Sequence, residues 1–229
     1  MTDLAAGADK MRILRENVGF VVRDYNNIIG SLTKLEQKLF QERVFHLDRK
    51  IAPGLNKFTW AQRAPMLMSF KNDCRKYCRE VFQTVKTFKD NHESITKNCA
   101  AMSNELLVKI VRKRVYEDGE FEAEQAEHRA KVQAMLVRLH TEIVETLKVS
   151  QEIFANDSDA VKTEWVNYCQ LIDKAIEDSL RGMVKKSLIE ISKAINGDAK
   201  TEVTPLFKVG VALGTQDNCV ALKPSTDDL

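Results

Sequence analysis

The sequence predicts an all-α protein: an elongated bundle of about five or six amphipathic helices with a short C-terminal β-hairpin. Apolar residues recur at steps of three and four through most of the chain, which places them on one face of a helix. The 229 residues include only 9 Gly and 4 Pro, so few positions interrupt a helix. Only near the C-terminus does the apolar spacing fall to two, which is typical of strands.

The first two helices are predicted on either side of a capping box. Thr33 and Glu36 have the spacing at which the hydroxyl bonds one unpaired helix amide and the carboxylate bonds another. A second helix therefore begins there, and Pro53-Gly54 ends it, because proline disfavours helix before it and glycine permits a sharp turn. The buried sides are assigned to Leu14, Val18, Val21, Tyr25, Ile28 and Leu32, then to Leu39, Val44, Leu47 and Ile51, and the corner to Leu55, Phe58 and Trp60.

A third, long helix is predicted around Pro65, because proline is tolerated in the first turn of a helix. Thirty or so helical residues would span roughly 45–50 Å, longer than a compact domain needs. The pattern continues through Met102, Leu106 and Ile110, with a break expected near Ser94 to Ser103. The apolar stripe before this continuation consists of Leu67, Phe70, Cys74, Tyr77, Val81, Val85, Phe88, His92 and Ile95.

Two further helices are predicted in the second half of the chain. The first extends from Phe121 to Phe154, and Asn156-Asp157-Ser158 ends it and supplies the N-cap of the second. Asn196-Gly197 ends the second, because glycine adopts the left-handed conformation of a helix C-cap. The buried sides are assigned to Val132, Met135, Leu139, Ile143 and Leu147, and to Val161, Trp165, Tyr168, Ile172, Ile176, Leu180, Met183, Ile191 and Ile195.

The predicted organisation has four parts. Residues 1–10 form a flexible N-terminus, and residues 11–114 form a first helical bundle. Residues 115–198 form a second helical segment, a long antiparallel helix pair. Residues 199–229 contain the hairpin, with strands at 207–211 and 219–222 around a turn at 214–218, and a loose end. The sequence leaves open whether the helices form one rod or two bundles.

The composition indicates a soluble intracellular chain. The 35 basic and 33 acidic residues give a net charge of +2, so no global field attracts nucleic acid or a membrane. No apolar segment approaches the roughly 18 residues that a membrane helix needs, and the N-terminus lacks a signal peptide's apolar segment. The five cysteines lack a disulfide-type spacing, which favours a reducing compartment such as cytosol or a cilium.

No catalytic, cofactor-binding or metal-binding residue is predicted. Cys74, Cys78 and His92 share a stripe, but zinc needs about four converging ligands, so core cysteines are favoured. Thr96 stands where a metalloprotease motif beginning at His92 needs its second histidine. Carboxylate metal sites in bundles need an acidic residue three positions before a histidine, and none of the four histidines has one. Ala199 stands where a phosphate-binding loop needs its second glycine.

The one basic cluster extends from Lys109 to Arg114. Six acidic residues follow between Glu117 and Glu127, so pairing is predicted rather than phosphate binding, with an anionic partner surface as the alternative. Trp60 and Trp165 fit core positions better than interface anchors.

Several stretches of the sequence resemble the tail of dynein heavy chains. Among these, they are most similar to axonemal heavy chains of the outer-arm type. Together they extend over residues 20–223. They are YNNIIGSLTKLEQKLFQERVFHLDRKIAPGLNKFTW at 25–60, KNDCRKYCRE at 71–80, LVKIVRKRVY at 107–116, GEFEAEQ at 119–125, NDS and EW at 156–158 and 164–165, SKAINGD at 192–198, and PLF at 205–207.

The resemblance implies a non-catalytic middle slice of the tail, ahead of the linker. ATPase activity belongs to the motor ring of such heavy chains and is carried over to no residue here. The implied partners are intermediate chains, neighbouring heavy-chain tails and the rest of the same heavy chain. The implied location is cytoplasmic and cytoskeletal, in the axoneme of a cilium or flagellum. An independent helical scaffold or adaptor that binds partner helices is the alternative, followed by an enzyme built on a helical bundle.

Overall fold

A computed structural model describes residues 26–46, 64–111, 114–117, 119–197, 208–213 and 220–223, together with 12, 16, 23 and 49. These residues form an all-α fold with a small antiparallel hairpin, which confirms the predicted fold class. The elements are α1 (Lys34–Leu39), α2 (Ala64–Asn104), α3 (Glu120–Ile153), α4 (Asp159–Asn196), β1 (Gly210–Leu213) and β2 (Val220–Lys223). Residues 26–30 and 41–46 are also helical.

The predicted capping box is present at the start of α1. The Thr33 hydroxyl accepts a hydrogen bond from the Glu36 amide at 3.3 Å, and the Glu36 carboxylate accepts one from the Thr33 amide at 2.7 Å. Ile28, Leu32 and Leu39 are buried as expected. The Pro53-Gly54 corner, with Trp60 and its apolar neighbours, lies outside the described residues.

The third predicted helix is α2, and the expected break near Ser94 to Ser103 is wrong. The helix begins at Ala64, which puts Pro65 in its first turn, and it continues without interruption to Asn104. The spacing of Ile95, Cys99 and Met102 keeps all three side chains buried through the stretch where the break was expected. Because no Gly or Pro occurs there, no backbone constraint opposes the helix.

The two later helices follow the predicted bounds. Each end of α3 lies within one residue of the position predicted for it. Asp159 opens α4 directly after Ser158, whose carbonyl oxygen accepts a hydrogen bond from the Lys162 amide at 3.0 Å. Gly197 has a φ of 71°, the left-handed conformation predicted for it, and its amide donates to the Lys193 carbonyl at 2.9 Å. Local chemistry therefore decides where these helices end.

The hairpin is present, but its strands lie later than predicted. Gly210 pairs with Lys223 and Leu213 pairs with Val220 in an antiparallel register. Seven of the eight strand residues are exposed and Ala212 is intermediate, so burial of one face does not fix the limits of the strands. The predicted turn at 214–218 lies outside the described residues.

The chain divides into two compact units. The first consists of residues 1–95 and 145–172, and the second of residues 96–144 and 173–229. The division at 11–114, 115–198 and 199–229 that the sequence suggested stays a prediction.

The core of the first unit is a cluster of aromatic side chains. The Phe88 ring lies with its centroid 5.6 Å from Phe40, 5.8 Å from Phe154 and 5.2 Å from Tyr168. Trp165 adds contacts at 5.5 Å to Phe154 and 5.3 Å to Tyr168, and it is 7% exposed, which confirms its core placement. Burying each aromatic side chain contributes about 1.5–3 kcal/mol, so this cluster makes a large contribution to the stability of the unit.

Arg43 connects the helical residues 41–46 to the end of α3. Its guanidinium donates to the Ile153 carbonyl oxygen and to the Asp157 carboxylate, the latter at 3.3 Å. A second pair of atoms, Arg43 Nη1 and Asp157 Oδ2, lies 2.9 Å apart. Both atoms are buried, and they form an ion pair without a hydrogen bond. The guanidinium also lies over the Phe154 ring, 5.5 Å from its centroid. One side chain thus satisfies the helix terminus and covers the aromatic cluster.

The core of the second unit contains predicted stripe residues of α3 and α4. Val132, Leu139, Ile143 and Met183 are all buried. Gly182 marks a close approach, because a Cβ built at this position would lie 2.8 Å from Ser103 Oγ.

Replacing Arg43 by methionine should lower the free energy of unfolding by about 2–3 kcal/mol, because Asp157 loses its partner and the Ile153 carbonyl loses its donor. Arg43→Lys should recover only part of the loss, because an ammonium lacks the planar fork. Urea denaturation followed by circular dichroism measures the change.

The matched control is Arg138→Met, which removes an exposed guanidinium paired with Glu142 at 3.1 Å. We expect the free energy of unfolding of this variant to stay within about 0.5 kcal/mol of the wild-type value. Equal losses in the two variants would contradict the role assigned to Arg43.

Candidate interaction surfaces

The cysteines of α2 are core residues. Cys74, Cys78 and Cys99 are all buried, as predicted. Burial raises the pKa of the Cys74 thiol to about 11, with the neighbouring Cys78 and Asp73 adding to the effect. Burial also raises the pKa of Cys99, opposed by a hydrogen bond with Ser179. The Cys74 and Cys99 thiols therefore stay protonated near neutral pH, and a protonated thiol is a poor nucleophile.

His92 does not join the cysteines. It is exposed, which corrects its assignment to the buried stripe, and its Nδ1 lies 3.0 Å from the Tyr168 hydroxyl. Within the part of the chain that the structure describes, no group of three or more His, Cys, Asp or Glu side chains is placed to hold a metal ion.

The segment after α2 is pinned by side chains of other helices. Leu106 and Ile110, which the sequence assigned to a continuing helix, lie in this non-helical segment. The Ser187 hydroxyl accepts from the Leu107 amide at 2.8 Å. Gln125, itself buried, accepts from the Lys109 amide at 3.0 Å and donates to the Lys109 carbonyl at 2.7 Å. These bonds replace the helical hydrogen bonds that the segment gives up.

The basic cluster is paired within its own unit. Lys109 Nζ lies 3.2 Å from Glu124 Oε1, and Arg114 contacts both Glu124, at 3.1 Å, and Glu120. A backbone hydrogen bond from Glu117 and the Arg114 guanidinium lower the pKa of Glu120. This confirms the predicted pairing for these residues, while Arg112 and Lys113 lie outside the described part.

An exposed apolar surface occurs on α4, and we call Val184, Leu188 and Ile195 the α4 stripe. The three side chains are 43%, 60% and 60% exposed. Ile195 was assigned to the buried side, which is wrong: twelve residues after Met183 rotate it about 120° around the helix from that core position. Val184 and Leu188 of this stripe line a shallow groove of about 580 Å³ together with Leu180, Lys185 and Ser192.

A second groove lies in the first unit, between residues 27–31 and α2, and we call it the arginine groove. It has a volume of about 740 Å³. Polar and apolar groups share its surface, and the sequence pattern did not single it out. Its lining residues are Asn27, Ile28, Ser31, Arg75, Cys78, Arg79 and Phe82.

The described residues thus define a helical protein in which Lys109 and Arg114 are paired with acidic residues and in which one groove lies beside α2 and another on α4. Among the described residues, no helix combines the length and the apolar character that crossing a membrane requires.

Comparisons with known proteins agree with the resemblance seen in the sequence. Residues 1–70 match the family described as dynein heavy chain, N-terminal region 1. Human dynein axonemal heavy chain 2 is 46% identical over 213 residues, or 93% of this chain, and the mouse protein of that name is 45% identical over 92% of the chain. The Chlamydomonas reinhardtii dynein-1-beta heavy chain of the flagellar inner arm I1 complex is 38% identical over 99%. The chain spans 5% of the length of each relative.

The chain is therefore similar to the N-terminal region of axonemal dynein heavy chains, a tail region rather than the ATPase motor. These relatives indicate a cytoskeletal location in the axoneme of a cilium or flagellum. They do not support the outer-arm type in particular.

Gln125→Ala should lower the free energy of unfolding by about 2 kcal/mol, because it leaves the Lys109 amide and carbonyl without partners. The Lys109 amide should also exchange its hydrogen faster. Urea denaturation and hydrogen exchange measure the two effects, and Glu122→Ala, exposed on the same helix, is the control. Unchanged exchange at Lys109 would show that the segment is held by other contacts.

The stability of the protein should fall as the pH rises from about 9 towards 11, because the unfolded chain releases the Cys74 proton at its ordinary pKa while the folded chain retains it. This contribution is complete below pH 9. In Cys74→Ala the decline should be smaller, so the difference in unfolding free energy from wild type should shrink with pH. A Cys74→Ala difference that stays constant from pH 8 to pH 11 would contradict the assignment of the decline to this thiol.

Proposed function

We propose that the chain is a non-catalytic structural segment of a dynein heavy chain tail that links the docking part of the tail to the linker and motor. The observation that carries the proposal is similarity to axonemal heavy chains across 92–99% of the chain, rather than in one motif. The mainly helical fold of the described residues supports a mechanical role, because long helices supply extended packing surfaces.

The mechanical part of the proposal rests on how the long helices are packed. In the first unit, Phe88 of α2 contacts Phe154 and Tyr168, which belong to segments far away in sequence. Sliding one helix past another would expose these rings to water, and each buried ring contributes about 1.5–3 kcal/mol. A load applied along the helices is therefore resisted by the whole cluster.

The docking part of the proposal rests on the exposed apolar side chains of α4. We propose that intermediate chains or a neighbouring heavy-chain tail cover the α4 stripe. Exposed apolar side chains at helical spacing suit the groove or stripe of a partner helix. The rest of the same heavy chain is the third candidate partner.

The arm type is a separate question. The sequence motifs favoured the outer arm, whereas the Chlamydomonas relative is named for the flagellar inner arm I1 complex. The name of that one relative makes an inner-arm heavy chain the first to be tested.

The double substitution Val184→Asp, Leu188→Asp in a heavy-chain tail should reduce co-purification of intermediate chains or of the second heavy chain by about tenfold. The two carboxylates remove apolar side chains that the contact would bury, and they place unpaired charges at its centre. Quantitative mass spectrometry of the purified tail complex measures the loss.

The matched control is Val137→Asp, Val149→Asp, which places the same charges at two exposed valines of α3. Circular dichroism should show both doubles folded. Retention of every tail component at wild-type stoichiometry in the α4 double would overturn the docking role.

A further inference from the structure

The arginine groove contains two guanidinium groups without partners among the described residues. Arg75 and Arg79 are four residues apart on α2, so they lie on the same face of the helix. Both are exposed, and neither forms an ion pair or a hydrogen bond with any residue that the structure describes. By contrast, Arg114, Arg138 and Arg181 each pair with a glutamate.

Two like charges at this spacing repel each other, and the repulsion disfavours the helix that carries them. A carboxylate placed over the pair would relieve the repulsion and form charge-assisted hydrogen bonds with the planar guanidinium forks. The groove therefore has a defined electrostatic preference for acidic groups.

The rest of the groove is suited to an apolar side chain. Ile28 and Cys78 form a buried floor, and Phe82 stands at the edge with 51% of its surface exposed. The Ser31 hydroxyl already donates its proton to the Ile28 carbonyl, so that proton is not available to a ligand in the groove. A side chain of leucine or phenylalanine size would cover Phe82 and remove apolar surface from water.

We infer that the arginine groove binds an acidic amphipathic helix of a partner protein, with carboxylates on Arg75 and Arg79 and an apolar side chain against Phe82. The inference rests on the docking role proposed for the segment, but it concerns a different surface from the α4 stripe. Lys71, four residues before Arg75, and Lys86, seven residues after Arg79, lie on the same face of α2 as the two arginines. The buried apolar floor and Phe82 distinguish this surface from a face that binds phosphate groups alone, and they favour an amphipathic helix over a nucleic-acid backbone or an anionic membrane.

The test uses the full 229-residue chain and a fluorescent helical peptide with two glutamates four residues apart and a phenylalanine between them. Fluorescence anisotropy should show saturable binding that weakens as salt is added. The substitutions Arg75→Glu, Arg79→Glu should weaken binding by about tenfold or more, because two attractive pairs become repulsive. Phe82→Ala should also weaken binding, with less change in the salt dependence.

The matched control is Arg129→Glu, Lys148→Glu, which makes the same change in net charge at two exposed positions outside the groove. It should bind the peptide as wild type does. A peptide with lysines in place of the glutamates should bind the Arg75→Glu, Arg79→Glu variant better than it binds wild type. Circular dichroism should show each variant folded.

Equal affinity of wild type and the Arg75→Glu, Arg79→Glu variant for the acidic peptide would overturn the inference. So would tighter binding to a single-stranded oligonucleotide or to phosphatidylserine vesicles than to the peptide. None of these outcomes bears on the α4 double substitution in the tail complex, so failure of the groove and failure of the docking role are distinguishable.

Discussion

Both units depend on the burial of one apolar stripe along each long helix. The opposite faces of these helices carry charged residues at close spacing, and pairs such as Arg181 with Glu177 stabilise them by only about 0.3–0.5 kcal/mol each. Such pairs cannot hold helices together. Tertiary burial of rings such as Phe88 in the first unit, and of Ile143 in the second, supplies the stability that makes the helices persist.

Polar side chains then determine where each helix ends. Thr33 and Glu36 open α1, Arg43 binds the last carbonyl of α3, and Gln125 holds the segment that follows α2. Each satisfies backbone groups that a helix terminus leaves without partners. Burial therefore provides most of the free energy, while a small number of hydrogen bonds provides the geometry.

The sequence predicts the structural features that depend only on residues close together in the chain. The capping box, the N-cap before α4 and the glycine stop at Gly197 all depend on neighbouring residues, and all are where the sequence indicates. The end of α2 could not be predicted, because it depends on bonds from Gln125 and Ser187, which are distant in sequence.

The α4 stripe and the arginine groove also depend on residues that are distant in sequence, so the sequence did not predict them. Periodicity assigned Ile195 to the core, since an apolar residue that faces a partner has the spacing of one that faces its own fold. Likewise, the lack of partners at Arg75 and Arg79 is visible only once every nearby carboxylate has a position. Neither groove has a signal in the sequence by itself, whereas the aromatic cluster was partly predicted through Phe88, Trp165 and Tyr168.

The close approach at Gly182 bears on how mutations in such a chain would be interpreted. Every single base change that removes a glycine gives a residue with a side chain, or in one case a stop codon. The Ser103 hydroxyl can rotate away from a methyl group, but a branched or charged side chain would force α4 away from the end of α2. A missense variant here would lower the amount of folded chain while leaving every exposed surface chemically intact. Its phenotype would thus be a loss of protein abundance rather than a failure of recognition, and the two call for different assays.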